Sequence, residues 1–294
     1  MSAPRMVMHM LLDRLTPHDR LRQPEPDLVM DAPAQVQAFA SSGANDGPLT
    51  PIYLYLAMQA SSAIRRGGRV LDLACGPCNQ LSMLARLHPE TEFVGLDLSD
   101  TMLDLARQTL DRQGVQNVRL VQGDMRTLDG FDDASFDGVF STLSLHHLPT
   151  VDALCQATRS ANRVLRADGG VFLADFGRLR RQATLDFLVN DRASEQSPLF
   201  TQDYMNSLKA AFSLGELEQA ATSLGRDVLT HVTALAPFMV ILRRRISDEP
   251  SRTRAMDAAR QAFQAMSDSH QRDLLALANW FQAAGLPLPM SLRR

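Results

Sequence analysis

Residues 70–80 read VLDLACGPCNQ, and two meanings compete for them. Cys75 and Cys78 have the spacing of a thiol–disulfide redox pair. Read from Val70, the same letters are an apolar strand ending in an acid, Asp72, then small residues at 74, 76 and 78. In a strand-to-helix turn of this kind, N–H groups at the helix start face outward, and small side chains let a ligand come close. The two meanings require different surroundings, so the neighbouring sequence decides between them.

That sequence alternates strands and helices. RVLDLA (69–74) predicts a strand, and NQLSMLARL (79–87) a helix with Leu81, Leu84 and Ala85 on one face. EFVGLDL (92–98) is a second strand, and Ser99 caps a helix that closes at Gly114. VRLVQGD (118–124), FDGVFSTL (136–143) and VFLADF (171–176) read as further strands, with a helix from Val151 stopped at Asp168-Gly169-Gly170. Continuous apolar strands between helices predict an α/β fold with a doubly wound, mostly parallel sheet covered on both faces. Ser213 and Glu216 form a capping box. DVLTHVTAL and FMVILRRR then follow with only Ala236-Pro237 between them, which predicts an antiparallel hairpin at the sheet edge and seven strands in all. Residues 1–66 and 246–294 read as helical; Asp31 is the expected cap of an early helix. Arg243-Arg244-Arg245 is read as a solvated strand end.

A thioredoxin-like pair needs an exposed loop and a later cis proline beside the thiols, whereas Ala74 precedes Cys75 at the end of an apolar strand. No second CxxC follows, and neighbouring side chains such as His146 and His147 rarely point at one metal, so no metal site is expected. The ligand-binding meaning gains support further along. Asp72, Asp97 and Asp124 stand at the ends of three consecutive predicted strands. An acid at the end of the second strand can accept both hydroxyls of a ribose. An acid after the third can accept the exocyclic amine of an adenine, with Leu98, Met102 and Met125 as apolar surface for the ring.

The set VLDLACGPC, FVGLDLSDTML, VQGDM, FDGVFSTLSLHHL and LRADGGVFLADF resembles the class I S-adenosylmethionine-dependent methyltransferases over about residues 69–176. The resemblance implies a Rossmann-like domain over residues 67–245, an N-terminal helical lid over 1–66 and a C-terminal helical extension over 246–294. It implies S-adenosyl-L-methionine as cofactor. Asp72, Ala74, Gly76 and Cys78 would lie against its methionine part, Asp97 on the ribose, Asp124 and Met125 on the adenine, and Ser141 beside the sulfonium. This chain departs from the family at Ala74 and Cys78, where glycines are usual. The implied reaction is methyl transfer to a small organic molecule by direct displacement. Intramolecular cyclisation or elimination of the cofactor, and cofactor binding without catalysis, are the other readings. His146, His147, Asp175 and Tyr53 are the candidates for a catalytic base. Met30, Phe39, Leu188, Phe200, Tyr204, Met205 and Trp280 supply apolar side chains for an acceptor pocket.

Composition agrees with an ordinary globular chain: 294 residues, 45% hydrophobic, 21% charged, net charge −3. Without a basic excess, nucleic acid is not an expected partner. No stretch approaches the ~20 apolar residues of a membrane helix, and three cysteines suit a reducing, cytoplasmic setting. The C-terminal helices also offer a surface for a homodimer.

Overall fold

The computed structural model describes residues 3–26, 33–44, 46–246 and 249–292; Met30 and Asp31 lie outside them. Seven strands form one sheet in the order β3-β2-β1-β4-β5-β7-β6. They are β1 (Arg69–Asp72), β2 (Glu92–Asp97), β3 (Val118–Gln122), β4 (Phe136–Thr142), β5 (Leu165–Phe176), β6 (Leu229–Val232) and β7 (Met239–Arg244). The first five pair in parallel; β7 runs antiparallel to both β5 and β6. The chain moves outward from β1 to β3, returns to β4 beside β1, and continues the other way. The C-terminal ends of β1 and β4 therefore flank the switch point, where open α/β sheets bind ligands.

Helices cover both faces. On one lie α3 (Thr50–Ala60), α4 (Asn79–Leu87) and α5 (Asp100–Gln113), with α10 (Glu249–Ala265) and α11 (Asp268–Gln282) packed on α3. On the other lie α6 (Val151–Val164) and α9 (Leu214–Ala221). Met10, Leu54, Met58, Leu84, Leu274 and Phe281 share the first apolar layer, so both helical ends of the chain are built into the same core as the sheet. Around the rim stand α1 (Ala3–Leu15), α2 (Pro33–Gly43), α7 (Gln182–Asn190) and α8 (Pro198–Ala210). Buried Asp13 fixes α1 by accepting the N–H groups of Arg180 (3.1 Å) and Arg181 (2.9 Å) at the start of α7.

Three sequence expectations hold in detail. Ser99 accepts from Met102 N–H, Gly114 closes α5 in the left-handed region, and the Ser213–Glu216 capping box is present. Two do not. The helix from Val151 ends at Val164, and residues 165–170 belong to β5, because Leu165 is buried opposite Phe136 in the sheet. Gly169-Gly170 serves close approach instead of a helix stop: a Cβ on Gly170 would fall 1.9 Å from the Ala63 carbonyl oxygen. Nor are Arg243 and Arg244 solvated. Both are buried, with Arg243 donating to Gln59 Oε1 (3.1 Å) and Arg244 to the carbonyl of Gly169 (2.7 Å). The carbonyl and amide oxygens around them replace the water they lose.

Candidate active site

At the switch point a cleft of about 1000 Å³, counting the space open to solvent, lies over the ends of β1, β2 and β4. Among the residues named from sequence, Asp72, Ala74, Gly76, Asp97, Leu98, Met102, Asp124, Met125, Tyr53, Phe39 and His147 line it. The turn after β1 is shaped by Gly76 at φ 50° and held to β2 by Cys75 N–H, which donates to the Leu96 carbonyl at 2.8 Å. Gly95 makes room for it: a Cβ there would come within 3.0 Å of Cys75 Sγ.

Each acid has a distinct environment. Asp72 is 2% exposed, and its Oδ1 has no hydrogen-bond partner. Burial, reinforced by the charge of Asp97, pushes its pKa up to about 8. Asp97 is anchored by backbone: Oδ2 accepts from Gly76 N–H (2.8 Å) and Oδ1 from Ser99 N–H (2.9 Å). One carboxylate thus ties the turn after β1 to the start of α5. Asp124 accepts Arg126 N–H at 2.8 Å and the Arg126 guanidinium at 2.8 Å. Partial burial pushes its carboxyl up, but those bonds outweigh it and hold it below the usual range. Arg126 was not foreseen, although it directly follows VQGDM in the sequence.

Of the apolar set named for an acceptor pocket, Leu188, Tyr204, Met205 and Trp280 pack into or against the first apolar layer and Phe200 is buried on α8; none of the five borders the cleft. Neither do four of the cofactor and catalytic candidates. Cys78 is wholly buried in the first apolar layer, at φ 59° ahead of α4. Cys75 hydrogen-bonds with it, and that contact, with burial, pushes the Cys75 thiol well up. Both cysteines are buried, so neither is exposed as the attacking thiol of a redox pair must be. Ser141 is buried and hydrogen-bonded to Ser144, which does line the cleft together with Thr142. His146 and Asp175, each 2% exposed, form a pair behind the cleft wall. Asp175 accepts both the backbone N–H (2.8 Å) and ring Nδ1 (2.7 Å) of His146. Burial lowers the affinity of His146 for a proton, but Asp175 outweighs it and raises the pKa. His147, beside the cleft, goes the other way: burial and then the charge of His146 push it down to about 3, so its ring is neutral.

The wall around these histidines is built by distant segments. Arg22 donates to the carbonyls of His146 (2.8 Å), Leu148 (2.6 Å), Pro149 (2.7 Å) and Ala210 (2.6 Å), and lies 3.8 Å over the Phe212 ring. Glu25, three residues on, is brought to the histidines, where burial pushes its carboxyl up. The Phe176 ring lies between those of His146 and Tyr204 of α8, tilted against both with centroids 5.6 Å apart. At the N-terminal side, Asn79 donates to the Ala40 carbonyl (3.0 Å) and Gln80 to the Tyr53 carbonyl (3.1 Å). The start of α4 thus holds α2 and α3 over the cleft. Tyr53 is buried, and burial followed by the charge of Asp72 raises its hydroxyl pKa, so it stays protonated. Leu143, also in the wall, has φ 51°, a strained conformation for a bulky residue at the end of β4. Among the described residues no helix is long and apolar enough to cross a membrane.

Comparison with known proteins agrees with this geometry. A family model described as a methyltransferase domain matches residues 70–169. The ubiquinone/menaquinone biosynthesis C-methyltransferase of Idiomarina loihiensis is 37% identical over 119 residues, covering 40% of this chain and 46% of that protein. A demethylmenaquinone methyltransferase of Listeria welshimeri is 33% identical over 113 residues, 38% and 46% of the two chains. The matched part is thus about half the length of these curated relatives. Among solved structures, a SAM-dependent methyltransferase from Aquifex aeolicus shares the fold at TM-score 0.51 and 14% identity, covering 73% of this chain and 98% of that one. An O-methyltransferase family protein from Burkholderia thailandensis does so at TM-score 0.51 and 17% identity, covering 72% and 60%. Residues 70–169 thus match a methyltransferase domain, and the fold around them is shared with solved methyltransferase structures.

Proposed function

We propose that the protein is an S-adenosylmethionine-dependent methyltransferase acting on a small organic molecule. One observation carries the reading: carboxylates from the ends of β1, β2 and the segment after β3 converge on a single cleft beside a glycine turn. The residues present fit the cofactor. Asp72 Oδ1 is a buried acceptor without a partner, suited to the ammonium of the amino-acid part. Asp97, already oriented by two N–H groups at the cleft, is the acid placed to accept ribose hydroxyls. Leu98, Met102 and Met125 would flank the adenine, and Asp124 would accept its amine once Arg126 shares the carboxylate. Cys78 and Ser141, being buried outside the cleft, would act only by shaping its wall.

S-adenosylmethionine supplies an activated methyl group when bound. The chain supplies position, charge and exclusion of water. Asp97 and Asp124 make one side of the cleft anionic; Asp72 is protonated below about pH 8, and with Tyr53 and His147, both uncharged, it leaves the other side neutral. We assign the acceptor to that neutral side, against Phe39, Leu143 and Leu148. His146 and Asp175 hold His147 and the end of β4 in place from behind. The helices α2 and α3 serve as the cover on that side of the cleft, tied down through Asn79 and Gln80.

Incubation with S-adenosylmethionine tests this. Quinols are the first acceptors to try, because the curated relatives are named for quinone methylation. S-adenosylhomocysteine formed only when an acceptor is present is the expected result. Methylthioadenosine released without any acceptor, or cofactor binding with no turnover on a wide acceptor panel, would overturn the reading.

A further inference from the structure

We propose that Glu25, His146 and His147 form a binding site for one divalent transition-metal ion, zinc in the first place. A carboxylate oxygen of Glu25 and one ring nitrogen of each histidine lie within 4.8 Å of one another. The short 3₁₀ turn Leu145–His147 sets the two rings 4.4 Å apart and tilted by only 34°, so neighbours in sequence converge here despite the sequence expectation.

Two further features distinguish this cluster from chance proximity. Asp175 pairs with Nδ1 of His146 at 2.7 Å, which fixes the ring and leaves Nε2 as the nitrogen a metal would bind in place of a proton. That Nε2 is buried and has no hydrogen-bond partner. A buried ring nitrogen with no partner is costly, about 1–3 kcal/mol whether it carries a proton or a lone pair, and a metal ion bound in place of the proton removes the cost. Metal-bound histidines nearly always donate their other N–H to a carboxylate or carbonyl, the arrangement already in place here. The Glu25 carboxylate is likewise oriented, accepting from Ser207 Oγ at 3.1 Å. Arg22 completes the assembly by binding the His146 and Leu148 carbonyls, which sets Glu25 against the turn that carries both rings.

The donor set selects the ion. Two imidazole nitrogens and one carboxylate suit zinc or iron(II), whereas magnesium and calcium take all-oxygen shells. Three protein ligands leave a coordination position open, as in catalytic rather than structural zinc sites. His147 belongs to both this cluster and the cleft wall, so the ion would adjoin the acceptor side. There it would act as a Lewis acid on an acceptor oxygen. That role rests on the methyl-transfer reading; the binding itself rests on the side chains alone.

The test uses the full chain without an affinity tag, stripped with chelator and desalted. Cobalt(II) is titrated with visible spectroscopy and zinc with calorimetry, and S-adenosylmethionine is titrated separately on the same protein. One equivalent of cobalt with visible ligand-field bands is expected. Glu25→Gln and His147→Gln should each weaken binding at least tenfold, and Asp175→Asn by ten- to a hundredfold through loss of ring orientation. Circular dichroism checks that each variant is folded; if one is not, the other decides. No cobalt band would overturn the proposal, as would a band that survives both ligand variants or shows the near-ultraviolet charge transfer of thiolates at Cys75 and Cys78. Metal binding without cofactor binding would sink the methyltransferase reading and leave this one standing; the converse would do the reverse.

Discussion

The two ends of the cleft are built differently. At the cofactor end, each functional group comes from a strand tip and the residues next to it. Asp72, Gly76, Asp97 and Asp124 are positioned by the sheet register and by backbone N–H groups one turn away. At the acceptor end, the end of β4 and β5 supplies only His146, His147 and Asp175, and the site closes through Arg22, Glu25, Tyr204 and Ser207. Those residues lie more than a hundred positions away in the chain from the histidines or on another helix. The first end is local, built from strand tips and the backbone beside them. The second is an assembly whose chemistry can be altered by changing segments that never touch the sheet. This division fits a fold that keeps one cofactor and varies its acceptors.

The comparison can be broken first at Asp72. Its folded pKa near 8 lies above the ordinary carboxylate value, so the unfolded chain gives up this proton first. Without cofactor, the stability of the wild type relative to Asp72→Asn should therefore fall as pH rises from about 4 to about 8 and level off above that. At pH 9 the variant should be the more stable by on the order of 5 kcal/mol in urea unfolding. A constant gap between the two proteins across that range would mean that Asp72 ionises normally.

Arg22→Ala should come next. Losing charged hydrogen bonds to four carbonyls and the Phe212 contact should lower stability by about 3 kcal/mol. Cofactor affinity should change less than threefold, since nothing at the other end depends on it; a large loss of affinity would show that the two ends are one unit. Gly76→Ala acts in the opposite place. Its φ of 50° should make the substitution cost about 1–2 kcal/mol, read as a fall in melting temperature, and weaken cofactor binding with it. The smallest effect belongs to Arg126→Ala. Releasing the partly exposed Asp124 from its ion pair should leave stability within about 0.5 kcal/mol. Adenosine-containing ligands should bind the same or slightly tighter, by competition titration; a pronounced loss would give the adenine contact to Arg126 instead.

What the sequence revealed follows the same division. The fold was legible because the strands are continuous apolar runs and the caps at Ser99, Gly114 and Ser213 are local chemistry. The cleft-lining acids were legible because Asp72 and Asp97 end strands and Asp124 follows β3 by two residues. Residues 165–170 were misread since two glycines after a helical pattern signal a stop, while their actual use, backbone crowding against Ala63, is a tertiary fact. The buried pair Arg243 and Arg244 escaped for the same reason: their partners Gln59 and Gly169 come from elsewhere in the chain. Glu25 lies in QPEP, a stretch with no periodicity or spacing to mark it. The convergence of His146 and His147 depends on a 3₁₀ turn that residue spacing alone does not reveal.

The central claim is that the cleft over Asp72, Asp97 and Asp124 holds S-adenosylmethionine. Titration calorimetry on the wild type and on Asp97→Ala addresses it most directly, because that change removes the ribose acceptor and frees the Gly76 and Ser99 N–H groups at once. Saturable binding by the wild type, weakened at least about 100-fold (about 2.7 kcal/mol) in a folded Asp97→Ala, is the predicted result. No heat from the wild type, or equal affinity in the two proteins, would contradict it.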